Sequence, residues 1–395
     1  MAPPPNVRAL MLSAHPPGAG TGSAVRGAVV LDALRALFTA VDAVSLALPG
    51  EERFADPAVR LIERAAPPRT LARVAMLRHG GAYFWDDHAG CLGQRLRAMV
   101  GAEELASSYD LVWCHSPLMA RAATVVASPL RVLDIDNVPS ADLRLLAHHD
   151  PPRLARNAYH RLLCAALRRE ERKRVDLHNA VTVTSELERE RLGPVRPPVT
   201  VLRNSVPEAR PAPVADSRAR ILFVGSLDYA PNVDAVSWLA DEIAPRLRAL
   251  TADVEISVVG RRPGAEVRSY CRRGGLTLVA DAPSLVEHYR SARAVIAPMR
   301  IGGGTGRIKV LEALAHGMPI VATPQALDGL RLERGRDVLV APDPDGLATH
   351  VCDLLRDGGL AARIGRAGRE VWRRDHDPAS ARRAIEALVD RLSMA

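Results

Sequence analysis

Short apolar segments alternate with loops and helical patterns, and this alternation, which runs through the chain twice, constrains the fold more than any other feature. In the first half, it predicts strands at Val7–Ser13, Tyr109–Cys114, Arg131–Ile135 and Ala180–Thr184, and helices at Gly27–Thr39 and Arg156–Val175. In the second half, it predicts a helix from about Val233 and strands at Arg220–Val224, Glu255–Val259, Leu276–Val279, Ala294–Pro298 and Ile320–Ala322. Strands that alternate with helices indicate a parallel sheet covered on both faces.

A segment rich in proline and alanine, PEARPAPVADSR, separates the two halves and has no periodicity. Because 395 residues exceed the size of a single core, the sequence predicts an α/β fold with two doubly wound, Rossmann-like domains. The predicted bounds are 1–206 and 218–375, with a linker at 207–217 and a C-terminal helix at about 376–395 that is a candidate to cross back to the first domain. Ligands of such sheets bind beyond the carboxyl ends of the strands, so the predicted site is the cleft that the two domains face.

Composition narrows the functional class. Aromatic residues make up 4% of the chain, which argues against stacking on single-stranded nucleic acid. The net charge of +8, from arginines spread along the chain, fits a solvated basic surface or attraction to anions such as nucleotide phosphates or lipids. Five cysteines stand singly without a C-x-x-C motif, which argues against disulfides and structural zinc and for a reducing cytoplasm.

The N-terminus lacks a basic segment followed by a long apolar core, so no signal peptide is predicted. No apolar run reaches the ~18 residues of a membrane-spanning helix. The predicted localisation is therefore cytoplasmic, and peripheral contact with the inner face of a membrane stays open.

A glycine-rich loop between a predicted strand and a predicted helix, MRIGGGTGRIKVLEALAHGMPIVATP from Met299 to Pro324, is the strongest candidate for binding chemistry. Glycines let a backbone approach an anion, and free N–H groups at a helix N-terminus bind it. Arg307 and Lys309 stand at the start of the predicted helix Ile308–Ala315, where cations oppose the helix dipole unless a phosphate neutralises them. The alternative is a flexible turn with solvated cations. No Walker A string occurs, and no G-x-G-x-x-G opens either half, so P-loop and nicotinamide enzymes fit poorly.

Four segments of the second half occur in an order typical of one enzyme family: ILFVGSLDYAPNVDAVSWL, VVGRRPG, APMRIGGGTGRIKVLEALAHGMPIVAT and LDGL. Together they resemble the nucleotide-sugar-binding domain of family 4 retaining glycosyltransferases (glycosyl transferases group 1), which have the GT-B fold. The resemblance covers most of residues 218–375. The first half is similar to the family more weakly, through YDLVWCHSP, VLDIDNVPS, AVTVTSE and VLRNSVP.

The resemblance implies a donor site that holds a nucleotide diphosphate on backbone amides and cations, without a metal ion or another cofactor. The family carries two glutamates in an E-x7-E pattern; Glu312 matches the second, which contacts the ribose hydroxyls, but the first is replaced by Gly304. We expect the backbone of this loop to hold the donor sugar instead. The residues implied for donor binding are Gly20, Gly22, Gly225, Ser226, Arg261, Gly302, Gly303, Gly304, Thr305, Gly306, Arg307, Lys309 and Glu312.

A second departure concerns the loop after ILFV, where the family commonly has an arginine and a lysine that clamp the diphosphate. In this chain the loop reads GSLDYAPN and contains no cation. We expect Arg307 and Lys309 to supply the missing charge.

In the first half, the resemblance places the loop HPPGAGTGSAVR near the donor phosphates and the acceptor, with Ser23 and Arg26 as weaker candidates than the glycines. His115 ends the strand YDLVWC, where the family often has a histidine in the cleft, and it is the predicted catalytic residue. A structural role for a lone histidine is equally compatible with the sequence. Asn204 matches an asparagine at the family's hinge, a structural role.

The candidate acceptor contacts are Asp136, Asn137 and Trp85. Asp134-Ile-Asp136 is a D-x-D string, which holds Mn²⁺ in a different glycosyltransferase fold, but that fold has one main sheet and not two comparable halves. Trp85 lies in HGGAYFWDDHAG, whose aromatic residues are predicted to form an apolar wall against a sugar. The Asp-Asp-His string of this segment lacks the spacing of metal ligands, so no metal site is predicted.

The sequence thus predicts a hexosyltransferase-type enzyme that moves a hexose or amino sugar, with retention, from a nucleotide diphosphate sugar to a hydroxyl acceptor. Richness in alanine, arginine and proline favours a bacterial secondary-metabolite or envelope-glycan pathway. One alternative is a nucleotide-sugar 2-epimerase of the same fold, although the loops carry few of the carboxylates that it needs. Another is a non-catalytic anion-binding protein. The predicted partners are the donor and the acceptor, without nucleic acid; sugar, acceptor and oligomeric state do not follow from the sequence.

Overall fold

The computed structural model describes residues 7–18, 21–47, 56–63, 91–106, 109–149, 154–210, 219–251, 253–302 and 306–394. The chain divides into two units, Met1–Asn204 with Ala379–Ala395, and Ser205–Pro378. The bounds predicted from the sequence, 206 and about 376, lie two to three residues from these divisions.

The first unit is built on a parallel sheet. Its strands are β1 (Arg8–Ser13), β2 (Ala40–Ala47), β3 (Arg60–Glu63), β4 (Leu111–His115), β5 (Leu130–Ile135), β6 (Ala180–Val183) and β7 (Val199–Val201). Their spatial order is β3-β2-β1-β4-β5-β6-β7. Its helices up to this point of the chain are α1 (Gly22–Leu37), α2 (Cys91–Val100), α3 (Ala102–Ala106), α4 (Pro139–His149), α5 (Leu154–Val175) and α6 (Glu186–Leu192).

The second unit repeats this arrangement. Its parallel strands are β8 (Ala219–Val224), β9 (Val254–Gly260), β10 (Thr277–Ala280), β11 (Ala294–Ala297), β12 (Ile320–Ala322) and β13 (Leu339–Val340), in the order β10-β9-β8-β11-β12-β13. Its helices are α7 (Ala230–Trp238), α8 (Ala244–Leu250), α9 (Ala265–Arg273), α10 (Val286–Ser291), α11 (Gly306–Ala315), α12 (Pro344–Arg356) and α13 (Gly358–Asp375). A π-helical segment, Leu239–Ile243, joins α7 to α8 directly before Pro245, which lacks the N–H that a regular helix needs.

The C-terminal helix α14 (Pro378–Ser393) belongs to the first unit. Ala381, Ile385 and Leu388 follow each other at helical spacing and are buried in the core that α1 forms with one face of the sheet. Helix α14 therefore completes the core of the first unit. Across the described residues, none of the helices combines the length and the apolarity that crossing a bilayer requires.

The segment at the start of the second unit, which the sequence analysis assigns to the linker from residue 207 onward, is held on α13. Arg369 of α13 donates to the carbonyl of Ala209 over 2.8 Å and forms an ion pair with Glu208 at 3.1 Å. The indole N–H of Trp372 donates to the carbonyl of Val206 over 3.3 Å. Residues 206–209 are thus fixed on this helix. The sequence does not show this, because proline and charge in a sequence do not reveal tertiary hydrogen bonds.

In both units the strand order reverses once, between β1 and β4 and between β8 and β11. The loops that leave the two strands at such a point turn to opposite faces of the sheet and open a crevice at its carboxyl edge. Each unit therefore has one edge position at which a ligand site is expected.

Candidate functional site

In the second unit, the crevice position lies between the ends of β8 and β11, which pair directly through Ala294 and Ile221. The loop after β8 begins at Gly225, and the loop after β11 leads through Met299 to Gly302 and on to α11. The predicted GSLDYAPN loop and the predicted glycine-rich loop are therefore neighbours at one edge of the sheet.

The β8 loop is pinned to the end of β9. Gly225 donates its N–H to the carbonyl of Val259 over 3.2 Å, and Leu227 donates to that of Arg261 over 2.8 Å. The approach is so close that a Cβ added at Gly260 would lie 1.8 Å from the carbonyl oxygen of Gly225. Glycine at position 260 is thus required by backbone contact and not by its φ angle.

Lys309 reaches from the first turn of α11 into the β8 loop. Its Nζ donates to Oδ1 of Asn232, and a Cβ added at Gly225 would lie 3.1 Å from this Nζ. The ammonium group also lies 4.8 Å from the centroid of the Phe223 ring and 3.6 Å from the sulfur of Met299. A cation from the β11 side therefore stands at the loop in which the family's own cations are missing.

Burial governs the charge of this amine. The side chain of Lys309 is 6% exposed, and its desolvation lowers its pKa to about 7, against the attraction of Glu312. Near neutral pH the amine therefore lies between its two protonation states. An anion bound beside it would favour the charged form, because opposite charges at this distance attract strongly away from water.

Glu312 lies one helical turn after Lys309 on α11 and is half-buried. Desolvation raises its pKa to about 7, although the hydrogen bond from Tyr289 and the charge of Lys309 act in the opposite direction. The Tyr289 hydroxyl lies 3.4 Å from Oε2 of Glu312, and the Tyr289 ring stacks on the His316 imidazole with centroids 4.4 Å apart. Among the described residues, Oε1 of Glu312 has no hydrogen-bond partner, so this oxygen is free to accept from a ligand.

Asn232 orders the site although no sequence argument singled it out. Its Nδ2 donates to the carbonyl of Ser226 over 2.8 Å, while its Oδ1 accepts from Lys309. A Cβ at Gly225 would lie 2.8 Å from this Nδ2, so glycine is needed there for the amide to approach. In the sequence, only its position within APNVD marks Asn232. Neither charge nor periodicity indicates its contact with Lys309, 77 residues away.

Several predicted site residues fall outside the described part of the chain. These are Gly20, Trp85 with its neighbouring aromatic and Asp-Asp-His residues, Gly303, Gly304, Thr305 and the side chain of Arg307. Gly22 and Gly306 begin α1 and α11, and Arg261 directly follows β9. Their donor contacts stay predictions.

In the first unit, His115 lies at the end of β4 and is buried with 0% exposure. Its Nδ1 lies 2.7 Å from Oδ2 of Asp134, and its Nε2 lies 3.0 Å from the carbonyl of Ser23 and 3.2 Å from its hydroxyl. Asp134 also accepts from Thr182 over 2.5 Å and from both Nε and Nη2 of Arg26. Both ring nitrogens of His115 are therefore engaged inside the protein, and a catalytic role stays a prediction.

The D-x-D string is divided between two environments. Burial alone would raise the pKa of Asp134, but the charge of Arg26 and the hydrogen bond from His115 outweigh it and hold that pKa far below its ordinary value. Asp136 has other partners: its carbonyl accepts from Thr184 over 3.0 Å, and its Oδ1 lies 3.4 Å from Nδ2 of Asn204. Oδ1 of the neighbouring Asn137 is buried without a partner among the described residues. Within the same residues, no cluster of His, Cys, Asp and Glu is arranged to hold a metal ion.

Arg26 connects this buried cluster to the end of the first unit. Its Nη1 donates to the carbonyl of Leu202 over 2.9 Å and to Oδ1 of Asn204 over 2.8 Å. Asn204 is the residue at which the first unit ends. Asn204, which the family resemblance assigns to a hinge, thus accepts a hydrogen bond from Arg26, which was a candidate for donor binding.

Two parallel sheets, each with a single reversal of strand order, define a class of two-domain α/β proteins. Sucrose-phosphate synthase from Thermosynechococcus elongatus has the same fold, with a TM-score of 0.73 and 16% identity over 98% of this chain and 100% of that one. The Anabaena protein Alr3699/HepE in complex with UDP-glucose gives a TM-score of 0.65 at 13% identity, over 98% and 100% of the two chains. The fold is therefore GT-B.

Residues 218–357 match the family model of glycosyl transferases group 1. A phosphatidyl-myo-inositol mannosyltransferase of Mycobacterium leprae is 34% identical over 165 residues, which are 39% of this chain and 42% of that protein. A GDP-mannose-dependent alpha-(1-6)-phosphatidylinositol monomannoside mannosyltransferase of Mycolicibacterium smegmatis is 30% identical over 228 residues, 50% and 58% of the two chains. The chain thus spans about half the length of these curated relatives.

Proposed function

We propose that this protein is a retaining glycosyltransferase that moves a hexose or amino sugar from a nucleotide diphosphate sugar to a hydroxyl acceptor, without a metal ion. The observation that carries the proposal is the position of Lys309 and Glu312. They share one face of α11, next to the Gly225 loop, at the edge position where the strand order reverses. One supplies a cation for the diphosphate, and the other supplies a carboxylate for the ribose hydroxyls.

The diphosphate is proposed to lie over the start of α11. The free N–H groups of the first helical turn point toward an anion there, and the dipole of the helix favours negative charge. The bound anion would favour the protonated form of the Lys309 amine. Lys309 would then replace the cation pair that the family carries in the β8 loop. Asn232 keeps the ammonium group at that loop, which supports the role that the sequence assigned to Arg307 and Lys309.

The proposed reaction breaks the bond between the anomeric carbon and the diphosphate oxygen and forms a bond from the same carbon to the acceptor oxygen on the same face. The acceptor proton goes to the leaving phosphate oxygen, so that no protein carboxylate has to act as a nucleophile. Charge that develops on the diphosphate is stabilised by Lys309 and by the helix N–H groups, which is the kind of electrostatic term that usually dominates.

The names of the relatives suggest which donors to test first. Both curated relatives are mannosyltransferases by name and one is GDP-mannose-dependent, whereas a structural neighbour was solved with UDP-glucose. Their names also specify phosphatidylinositol-type acceptors, which supports a lipid-linked hydroxyl acceptor and peripheral contact with a membrane surface. GDP-mannose and UDP-glucose are therefore the first donors of a wider panel.

The test is a thermal-shift panel of GDP-, UDP- and TDP-linked sugars, followed by transfer assays in EDTA with the donor that shifts Tm most. We expect acceptor-dependent release of the nucleoside diphosphate and retention of the anomeric configuration by NMR. Replacing Arg307 and Lys309 by alanine should raise the donor Kd at least tenfold, about 1.4 kcal/mol. Inversion at C2 of the donor without acceptor would indicate the epimerase, and a donor that binds without turnover would indicate a binding protein.

A further inference from the structure

Asp328 stands against the glycine-rich loop at Gly302. A Cβ added at Gly302 would lie 2.5 Å from Oδ2 of Asp328 and 3.5 Å from its carboxyl carbon. No side chain larger than that of glycine fits at position 302 unless the carboxylate moves. The space that a side chain of the loop would fill is therefore filled by a carboxylate from another part of the unit.

The backbone that carries this carboxylate forms a tight turn. Leu330 donates its N–H to the carbonyl of Leu327 over 2.9 Å, Asp328 has φ −47° and ψ 120°, and Gly329 has φ +75°. These angles are those of a type II turn, in which the third position requires the positive φ that glycine adopts without strain. The motif LDGL thus builds a rigid support for one acidic side chain.

The segment that precedes this turn is tied to the same loop at a second point. Thr323 follows β12, is buried, and donates its hydroxyl to the carbonyl of Met299 over 2.6 Å. Two contacts, Thr323 with Met299 and Asp328 with Gly302, therefore join the β12 segment to the loop after β11. Because β11 and β12 are paired neighbours, both contacts lie at the carboxyl edge of the sheet.

Asp328 lies beside Gly302, and the family pattern loses a carboxylate two positions later in the sequence. Gly304, two positions after Gly302, replaces the first of the two glutamates, while Glu312 retains the second. A hydroxyl-rich ligand needs acceptors with fixed directions, and a carboxylate offers two of them. Asp328 supplies this chemistry from outside the motif.

We propose that Asp328 replaces the missing glutamate and recognises hydroxyl groups of the donor sugar, which makes it a specificity-determining residue. The inference rests on the proposed function, since it needs a nucleotide sugar at the glycine-rich loop. It differs from a bracing role for Asp328 in one measurable respect. A residue that contacts the sugar affects the nucleotide sugar alone, whereas a residue that only braces the loop affects the nucleoside diphosphate equally.

The experiment measures the Kd of GDP and of GDP-mannose, and of UDP and UDP-glucose, by calorimetry on the full chain with Asp328→Asn and Asp328→Ala. Asp345→Asn is the matched control, because this aspartate lies on α12 with a side chain 79% exposed. We expect the Kd of the nucleotide sugar to be roughly tenfold higher in both Asp328 variants, which corresponds to about 1.4 kcal/mol. The Kd of the nucleoside diphosphate should stay within about twofold of the wild-type value.

Equal weakening of the binding of the diphosphate and of the nucleotide sugar would overturn the inference in favour of loop bracing. An unchanged Kd for both ligands would also overturn it. Equal Tm values for Asp328→Asn and wild type would ensure that folding is not the cause. If the folded wild-type protein binds none of the GDP-, UDP- and TDP-linked sugars of the panel, the proposed function itself fails. If it binds them and Glu312→Gln weakens both, the proposed donor site stands whatever the result at Asp328, and the transfer assay decides the proposed reaction.

Discussion

The Tyr289 hydroxyl and the Glu312 carboxylate, 23 residues apart in the chain, form the hydrogen bond that positions the proposed ribose anchor. Tyr289 is buried in α10, and its ring is supported from behind by the imidazole of His316. Burial and the neighbouring Glu312 raise the pKa of Tyr289 well above its ordinary value, so its hydroxyl remains a donor throughout the accessible pH range. Burial also lowers the pKa of His316, which favours the neutral form of the stacked ring.

Tyr289→Phe should therefore weaken selection for the ribose hydroxyls and leave the diphosphate contacts intact. We expect the ratio of Kd values for 2′-deoxy and ordinary nucleotide sugars to shrink about fivefold, since one hydrogen bond contributes about 1 kcal/mol. Calorimetry with GDP-mannose and its 2′-deoxy analogue measures the ratio. Tyr270→Phe, on α9, is the control. A ratio equal to that of wild type would mean that Tyr289 only fills the core.

The pH dependence of donor binding should have a maximum near pH 7. Above this pH Lys309, whose pKa lies at about 7, loses the proton that pairs with the diphosphate, so affinity falls by up to tenfold per pH unit. Below it Glu312, whose pKa also lies at about 7, becomes protonated and no longer accepts two hydrogen bonds from the ribose. Titrations should use a nucleotide sugar, since its diphosphate diester does not change charge between pH 5.5 and about 8.5.

Variants separate the two limbs of this profile. Lys309→Met should flatten the alkaline limb, and Glu312→Gln should flatten the acid limb, each at a lower maximal affinity. Of the other titratable groups in contact with the pair, Tyr289 stays protonated because its pKa is raised well above its ordinary value, and burial lowers the pKa of His316, away from the alkaline limb. A profile that keeps its alkaline limb in Lys309→Met would exclude Lys309 as the titrating group.

Gly260→Ala should disrupt the β8 loop. The added Cβ would lie 1.8 Å from the Gly225 carbonyl oxygen, so the backbone has to move. We expect a loss of roughly 3 kcal/mol in the free energy of unfolding, together with the loss of nucleotide binding. Gly264→Ala is a matched control four residues later, where a Cβ meets nothing within 4 Å. Urea unfolding of both variants measures the difference, and equal stability would show that the loop yields without cost.

The sequence located the central strands within two residues, because long apolar runs mark buried parallel strands regardless of partners. It missed β3, β7 and β13, which have four residues or fewer. It also missed the eight residues of β2, in which Asp42 interrupts the apolar run. That carboxylate is explained only by the fold, where it accepts from the Tyr109 hydroxyl at 2.9 Å and pairs with Arg8 at 3.2 Å.

In the site, sequence spacing identified Lys309 and Glu312, because both lie in one motif. It did not identify Asn232, Tyr289 or Asp328, since each acts on the glycine-rich unit from another strand–helix connection. It also assigned Arg26 to the donor loop, whereas the structure places Arg26 in a buried ion pair. Contacts between elements distant in sequence carry no local signature, and an isolated chain reveals them only through its tertiary structure.

Arg26→Met should destabilise the first unit strongly. Arg26 and Asp134 are 2% and 0% exposed, and their charged atoms lie 2.6 Å apart, so the variant leaves a buried carboxylate without its cation. The expected loss is about 3–5 kcal/mol. Because the pKa of Asp134 is depressed in the folded state, the pair stabilises the fold above pH ~4 and loses this contribution as the pH falls. Wild type should therefore lose stability in acid more steeply than Arg26→Met, and parallel slopes would contradict this role.

His115→Ala distinguishes the catalytic prediction from the buried network. With no exposed surface and with both nitrogens engaged by Asp134 and Ser23, the ring contributes to folding before it can contribute to chemistry. We expect a loss of about 2–4 kcal/mol in the free energy of unfolding, from the cavity and the unpaired partners, with a clear fall in Tm. His350→Ala, on α12, serves as the control for removing a histidine that is 34% exposed. If turnover falls 100-fold or more while Tm is unchanged, the ring leaves this network during the reaction and acts on the substrate, as the sequence predicts.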